Sequence, residues 1–487
     1  MDPLDATHTE PVMGKLIAPP KPVLCGGWNI ILSADFYKGG HHALLNPKLE
    51  YVYHYLESRG GEFDQVVCAG ASFVAKVFSE YTLTYDHIKD AEELFAHALT
   101  NLDLQLKRER WESIITKHGG KLPLKVLAIP DGTIVPPHTP MLVVHNTDPE
   151  FAWLPGYVES WLLSIVWHQS TVATKSLAMK IILKEAYAET GEPFTDSPLV
   201  DFGVRGSAGG PMGGLHASAA ALGGFGHLMI AKMSDNVPAL HFSRVWGFDG
   251  PLPQPPLPPS ILATEHSVMT SFGHDEQAAF HHLLSTAPDK PISIVMDAYD
   301  LFNAINIFGM HFREEILKRP ETAPIIVRPD SGKPHLILPK VFKTLEDYFG
   351  STEVGKGLKL LNPRIRVIQG DGITVEALGD ICKAVAEAKF ALGNLLFGSG
   401  GGLLQSATRD TLKFAYKALA GVKNDGSILM MSKDPVTDPG KKSKEGFLSV
   451  ETREDGSYAV VVAETLEAYA KNLEKSEMLT YYDDGRF

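Results

Sequence analysis

Between Leu199 and Lys433 the chain repeats one pattern: a short apolar run, a polar or glycine-rich turn, then a longer stretch with apolar positions at helical spacing. ISIVMDAYD carries its strand to Asp297, PIIVRPDSG to Asp330, IRVIQGDG to Asp371 and NLLFGSGGG to Gly398. LVDFGVRG (Asp201 to Gly206) and ILATEHS (Glu265, His266) are weaker members. Uninterrupted apolar runs suit strands buried on both faces, and their alternation with helices implies a parallel sheet. This many units predict an α/β fold whose sheet closes, or nearly closes, into a (β/α) barrel over residues 199–439; an open doubly wound sheet is the alternative. In either, the loops after the strands' carboxyl ends form the active face, and nearly every unusual polar residue falls there.

Residues 24–198 mix short strands (Tyr51 to Tyr55, Lys125 to Ala128, Met141 to Val144) with long helical stretches (Ala91 to Leu104, Trp153 to Glu185), which predicts a second, α+β domain. Residues 440–487 read as a strand (Tyr458 to Val462) and a helix outside the barrel pattern, completing that domain by packing on it. Residues 1–23 read as a flexible arm. The proline-rich stretch Leu252 to Pro259 lacks backbone donors and is expected to be a loop within a domain.

Composition narrows the partners. The 487 residues are 44% hydrophobic and 21% charged, ordinary for a globular protein, and no apolar run or N-terminal leader pattern marks a membrane span or a secretory signal. A cytoplasmic protein is expected. Its three cysteines, Cys25, Cys68 and Cys382, are far apart, which argues against a disulfide framework or a structural zinc site. A net charge of −13 argues against nucleic acid or an anionic membrane as partner, so an anionic small molecule would need a local cluster of Arg and Lys. Lys441, Lys442 and Lys444 form the clearest basic block and read as a solvated loop.

The polar residues at the strand ends point to phosphate and sugar. Gly398-Ser399-Gly400-Gly401-Gly402 follows a strand and is expected to open a helix at Leu403, so that bare N–H groups converge on a phosphate; tight packing alone is the other reading. It matches neither GxxxxGK[ST] nor GxGxxG. Arg328 and Asp330 in RPDSG offer a guanidinium fork for phosphate and a carboxylate for sugar hydroxyls, or else pair with each other. Gly370-Asp371-Gly372 allows close approach and a second ribose carboxylate, with a plain turn as alternative. His266 could carry a proton, bind phosphate, accept a phosphoryl group or serve structure only. His41-His42 and His281-His282 lack partners at metal-ligand spacing, and HExxH and GxSxG are absent, so no residue is expected to bind a metal directly.

Taken together, DFGVRG, EHS, RPDSG, IQGDG and FGSGGGLLQ, with NIILSADFYK, HNTDPEFAWL, STVATKS and KDPVTDP, resemble the nicotinate/nicotinamide phosphoribosyltransferase family, type II phosphoribosyltransferases, and most closely its nicotinamide-using branch. The likeness runs from Asn29 to about Val450. It implies a glycosyltransferase of pyridine nucleotide salvage, converting nicotinamide and phosphoribosyl pyrophosphate to nicotinamide mononucleotide and pyrophosphate. It implies a homodimer with shared sites, in which Phe202 of one subunit and Tyr37 of the other sandwich the nicotinamide ring. By motif position it assigns Arg205, Arg328, His266, Arg409, Lys417, Lys433 and Arg59 to a cationic shell for phosphate and pyrophosphate. Asp330 and Asp371, with Gly370, Gly400 and Gly401, would hold the ribosyl phosphate. Mg²⁺ would accompany phosphoribosyl pyrophosphate, and His266 could be phosphorylated during an ATP hydrolysis that drives the equilibrium.

The choice of amide over acid would rest on Asp235 in KMSDNVPAL, which matches once an insertion of about Ala220 to Gly226 is allowed; a gapless alignment puts Leu228 there. Two other departures are a longer loop at Gly250 to Pro259 and Ala415 where the pattern tends to have a phosphate-holding serine. Nicotinate phosphoribosyltransferase is the nearest rival reading, and a non-catalytic nucleotide-binding dimer is the rival from another class.

Overall fold

The computed structural model describes residues 28–98, 106–195, 198–208, 218–246, 260–437 and 442–486. The N-terminal arm, Cys25, Lys441, the proline-rich loop and the end of the Ala91 to Leu104 stretch lie outside the described residues, the helix there spanning Tyr85–Ala98.

Six parallel strands form the sheet that the repeated pattern predicts: Leu199–Asp201, Leu262–Ala263, Ile292–Val295, Ile325–Arg328, Ile365–Gln369 and Leu395–Ser399. From Leu262–Ala263 onward each strand lies beside the next in sequence, and the last pairs with the first through Phe397–Leu199, Gly398–Val200 and Ser399–Asp201. That cyclic order belongs to a curled barrel with one gap, between Leu199–Asp201 and Leu262–Ala263, and not to a doubly wound sheet. Ile292, Ile294 and Val295 are buried, as are Ile325, Val327, Ile365 and Val367, so the middle strands are covered on both faces. The covering helices Glu276–Thr286, Leu301–Lys318, Pro334–Phe349 and Val375–Glu387 follow strands in turn. Asp275, Asp300 and Thr374 cap three of them by accepting backbone N–H groups, as a sequence-level start signal requires.

The second sheet is antiparallel and ordered Ile428–Met430, Phe414–Lys423, Leu49–Ser58, Pro140–Asn146, Leu124–Ala128, Leu479–Asp483. One expectation is corrected here. Residues 414–430 were placed with the barrel, whose extent was set at 199–439, yet Phe414–Lys423 pairs along Leu49–Ser58 and its Tyr416 and Leu419 join the N-terminal core. An apolar strand reads alike whichever sheet takes it up. The C-terminal segment adds Leu479–Asp483 to the Leu124–Ala128 edge and a hairpin, Phe447–Thr452 with Tyr458–Ala463, whose Phe447 meets Tyr53 edge-on. The helix Glu159–Thr190 joins the two bodies: Leu162, Ile165 and Val166 belong to one core, Met179, Leu183 and Tyr187 to the other. Among the described residues no helix is long and apolar enough to cross a membrane.

Candidate active site

At the carboxyl ends of the barrel strands the half-buried ring of Phe202 lies against Gly398 and Gly370. A Cβ at Gly398 would sit 2.2 Å from two ring carbons of Phe202; one at Gly370 would sit 3.6 Å from that ring and 2.7 Å from Asp330 Oδ1. Ring, carboxylate and two bare strand ends therefore meet within a few ångströms. The Phe202 N–H donates to the Ser399 carbonyl at 2.9 Å, which fixes where the ring leaves the backbone. The glycine-rich turn does not open a helix as expected. It forms a single π turn, Gly401–Gln405, so aligned backbone dipoles contribute little at this point. None of Gly398, Gly400, Gly401 and Gly402 has positive φ. What glycine provides here is close approach.

Next to the ring, the Asp297 carboxylate bridges two of the expected residues. His266 Nε2 lies 2.9 Å from Asp297 Oδ1, and the Asp330 N–H donates to Asp297 Oδ2 at 3.1 Å. Asp297 is 3% exposed and was not singled out as a site residue, although it ends its strand in the same pattern position as Asp330 and Asp371; that register held the signal. Arg328 approaches Asp330 at only 3.7 Å and its Nε is buried without a protein partner, so the pair leaves the guanidinium with donors to spare. Asp371 is exposed; Gln369, fully buried, donates to its carbonyl at 2.9 Å. Arg205 is exposed on the turn after Phe202.

Asp235 is tied to the strand end that precedes Phe202. Its N–H donates to the Asp201 carbonyl at 3.1 Å, and its exposed carboxylate accepts from Ser260 Oγ at 3.4 Å. Leu228, the gapless alternative, is 1% exposed inside the helix Ala219–Ala231 and cannot meet a ligand.

Tyr37, Arg59, Lys417 and Lys433 form a second group, around the antiparallel sheet. Among the described residues no hydrogen bond, ion pair or ring contact joins it to the Phe202 group. Tyr37 is 63% exposed. Burial lowers the pKa of the Lys417 ammonium, and Lys433, Arg59 and Lys38 push the same way against Glu159. Arg409 is exposed and among the described residues its side chain pairs with its neighbour Asp410 alone, at 2.8 Å. At the centre is Glu57, 2% exposed, which accepts from Tyr55 Oη at 3.1 Å, Arg59 Nε at 3.0 Å and Lys444 Nζ. The basic block is thus not wholly a solvated loop: Lys444 is tied to a buried carboxylate, while Lys442 pairs with Asp434 at the surface. Ala415 lies directly across the sheet from Glu57. Among the described residues Arg59 NH2 is buried with no hydrogen-bond partner. Glu57→Gln is expected to destabilise the fold by about 2 kcal/mol, measured by urea unfolding, because Arg59 and Lys444 lose their shared counter-charge.

The model of the nicotinate phosphoribosyltransferase (NAPRTase) family matches residues 198–475, and that of the nicotinamide phosphoribosyltransferase N-terminal domain matches residues 29–126. A protein named nicotinamide phosphoribosyltransferase from Xanthomonas campestris pv. campestris is 34% identical over 467 residues, covering 94% of this chain and 95% of that one. A protein of the same name from Acinetobacter baylyi is 32% identical over 463 residues, covering 88% and 89%. Among solved structures, the nicotinate-nucleotide pyrophosphorylase of Pyrococcus furiosus is similar with a TM-score of 0.56 at 16% identity, covering 94% of this chain and 91% of that one. Human nicotinic acid phosphoribosyltransferase has a TM-score of 0.50 at 16% identity, covering 93% and 89%. At such identity these two bear on the fold alone. Matched over more than half its length by the family model, with relatives aligned along nearly all of it, the chain belongs to the nicotinate phosphoribosyltransferase family.

Proposed function

We propose that the protein is a pentosyltransferase that joins nicotinamide to the ribosyl group of phosphoribosyl pyrophosphate, giving nicotinamide mononucleotide and pyrophosphate for NAD salvage. The names of the relatives and the matched N-terminal domain support the base and the reaction. The observation that carries the reading is the Phe202 ring seated on Gly398 and Gly370 beside Asp330, a flat apolar plate placed next to a sugar-binding carboxylate.

The ring nitrogen of nicotinamide has a free lone pair, so its bond to C1 forms as the C1–O bond to pyrophosphate breaks and no general base is needed. Asp330 and Asp371 orient the ribose hydroxyls as the ring becomes cation-like, and Arg205 and Arg328 face the charge gathering on the leaving group. Mg²⁺ would be carried in on the donor's phosphates and neutralise charge there. His266, needed for no proton transfer in this step, is assigned to phosphate and to ATP-linked phosphorylation. A homodimer in the cytoplasm completes the reading: Tyr37, Arg59, Arg409, Lys417 and Lys433 of one subunit close over Phe202 of the other.

Asp235 accepts from the amide NH₂. A nicotinate carboxylate about 3 Å away would be repelled by about 5 kcal/mol at an effective dielectric of 20. Chromatography of the mononucleotide formed from nicotinamide and from nicotinate, side by side, is expected to favour nicotinamide, and Asp235→Asn to compress that preference at least ~10-fold. If the unmodified protein prefers nicotinate, the assignment of Asp235 is wrong.

A further inference from the structure

We propose that Asp201 is a positioning residue for base selection, whose buried side chain and carbonyl fasten the Phe202 turn and the Asp235 segment into one unit and so fix the spacing between aromatic plate and amide acceptor. The inference rests on the reading of Phe202 and Asp235 as the two base contacts.

Asp201 ends the strand that borders the barrel gap and is fully buried. Its Oδ1 accepts the Gly203 N–H at 2.7 Å, closing the turn that presents Phe202. Its Oδ2 accepts Asn236 Nδ2 at 2.7 Å, its carbonyl accepts the Asp235 N–H at 3.1 Å, and its backbone bridges Ser234. Asn236, also fully buried, donates its second amide hydrogen to the Ala220 carbonyl at 2.9 Å and accepts the Ala239 N–H at 3.0 Å through Oδ1. Every side-chain polar atom of the Asp201–Asn236 pair is therefore used, and no sheet partner other than Asp201 holds Asp235 in place across the gap among the described residues.

The pair also accounts for a glycine in the helix Ala219–Ala231: a Cβ at Gly224 would come 2.2 Å from Asn236 Nδ2 and 2.9 Å from Asp201 Oδ2, so bare backbone is what the pair rests on. A carboxylate taken wholly out of water is costly, and burial is the largest cause lifting the pKa of Asp201 to about 6. An apolar pair of the same volume would hold the two strands together without that cost. What a carboxylate adds is direction, because it must accept from Gly203 on one side and Asn236 on the other, and this fixes both segments in register.

Two variants test this, Asp201→Asn and Gly224→Ala, the second disturbing Asn236 without altering any group that faces substrate. Both are compared with the unmodified homodimer for thermal midpoint, KM for nicotinamide, KM for phosphoribosyl pyrophosphate and the ratio of kcat/KM for nicotinamide over nicotinate. The expected result is a KM for nicotinamide raised by about 10-fold or more and a ratio compressed to a similar degree, with the KM for the donor within about twofold. Either variant suffices if the other does not fold. An unchanged ratio, or both KM values rising together as the midpoint falls, makes Asp201 structural only and overturns the proposal. If the unmodified protein transfers ribosyl phosphate to neither base, it is the reading of the site that has failed.

Discussion

Replacing Asp297 with alanine is expected to lower kcat/KM for nucleotide formation by about a hundredfold while the protein stays folded. His266 Nε2 lies 2.9 Å from the Asp297 carboxylate, which accepts from its N–H and so holds the ring in one orientation. The other oxygen holds the Asp330 N–H at 3.1 Å, and with it the carboxylate proposed to orient ribose. Hydrogen bonds to a charged group contribute about 1.5–3 kcal/mol each. Losing both, with Asp330 free to drift, corresponds to about 3 kcal/mol of transition-state stabilisation, or roughly two orders of magnitude. Asp297→Asn separates the two duties. Its carbonyl can still take the Asp330 N–H, but its NH₂ forces Nε2 to become the acceptor and moves the proton to Nδ1. That variant should keep most of its basal transfer and lose ATP-linked stimulation. A loss below about threefold in the alanine variant would show that the carboxylate holds neither partner in a way that matters to turnover.

Asp297 also marks how far the sequence could be read. The parallel sheet was legible because strands buried on both faces must be apolar throughout. Its closure followed from the number of repeated units, with an open doubly wound sheet as the alternative; the choice rests on Leu199–Asp201 pairing with Leu395–Ser399, strands separated by nearly the whole barrel sequence. Asp330 and Asp371 stood out through the glycines and proline beside them, whereas Asp297 sits in MDAYD without such neighbours. Glu57 was less visible still. In LEYVYHYLES it reads as one polar position of an alternating strand, and only the pairing with Phe414–Lys423 and the approach of Lys444 show it to be a buried hub. The placement of Asp235 was a question of alignment that periodicity could not decide. Nor could it show that Leu228 is buried in its helix or that the Asp235 N–H is tied to the Asp201 carbonyl.

Gly398→Ala and Gly402→Ala are expected to fail in different ways, and the contrast tests what the glycine-rich turn is for. A Cβ at Gly402 would come 2.5 Å from the Ile373 carbonyl, a backbone atom that cannot swing aside, so Gly402→Ala should mainly cost stability, read as a lower urea midpoint. A Cβ at Gly398 would come 2.2 Å from Phe202 ring carbons, and a half-buried ring can turn outward. Gly398→Ala should therefore leave stability nearly unchanged and displace the plate. Stacking contributes about 0.5–1.5 kcal/mol beyond apolar contact, and with that contact and the alignment toward C1 also lost, the KM for nicotinamide should rise by about 30- to 100-fold. The KM for phosphoribosyl pyrophosphate should move little. Were the turn chiefly a phosphate nest, Gly398→Ala would raise the donor's KM first, since an added methyl would stand among the N–H groups. The absence of positive φ at these glycines, and a following helix of only one π turn, argue for the plate, because a nest draws its field from amides turned by left-handed residues or aligned along a helix. The substrate whose KM responds thus decides whether glycine serves here to admit an aromatic ring or an anion.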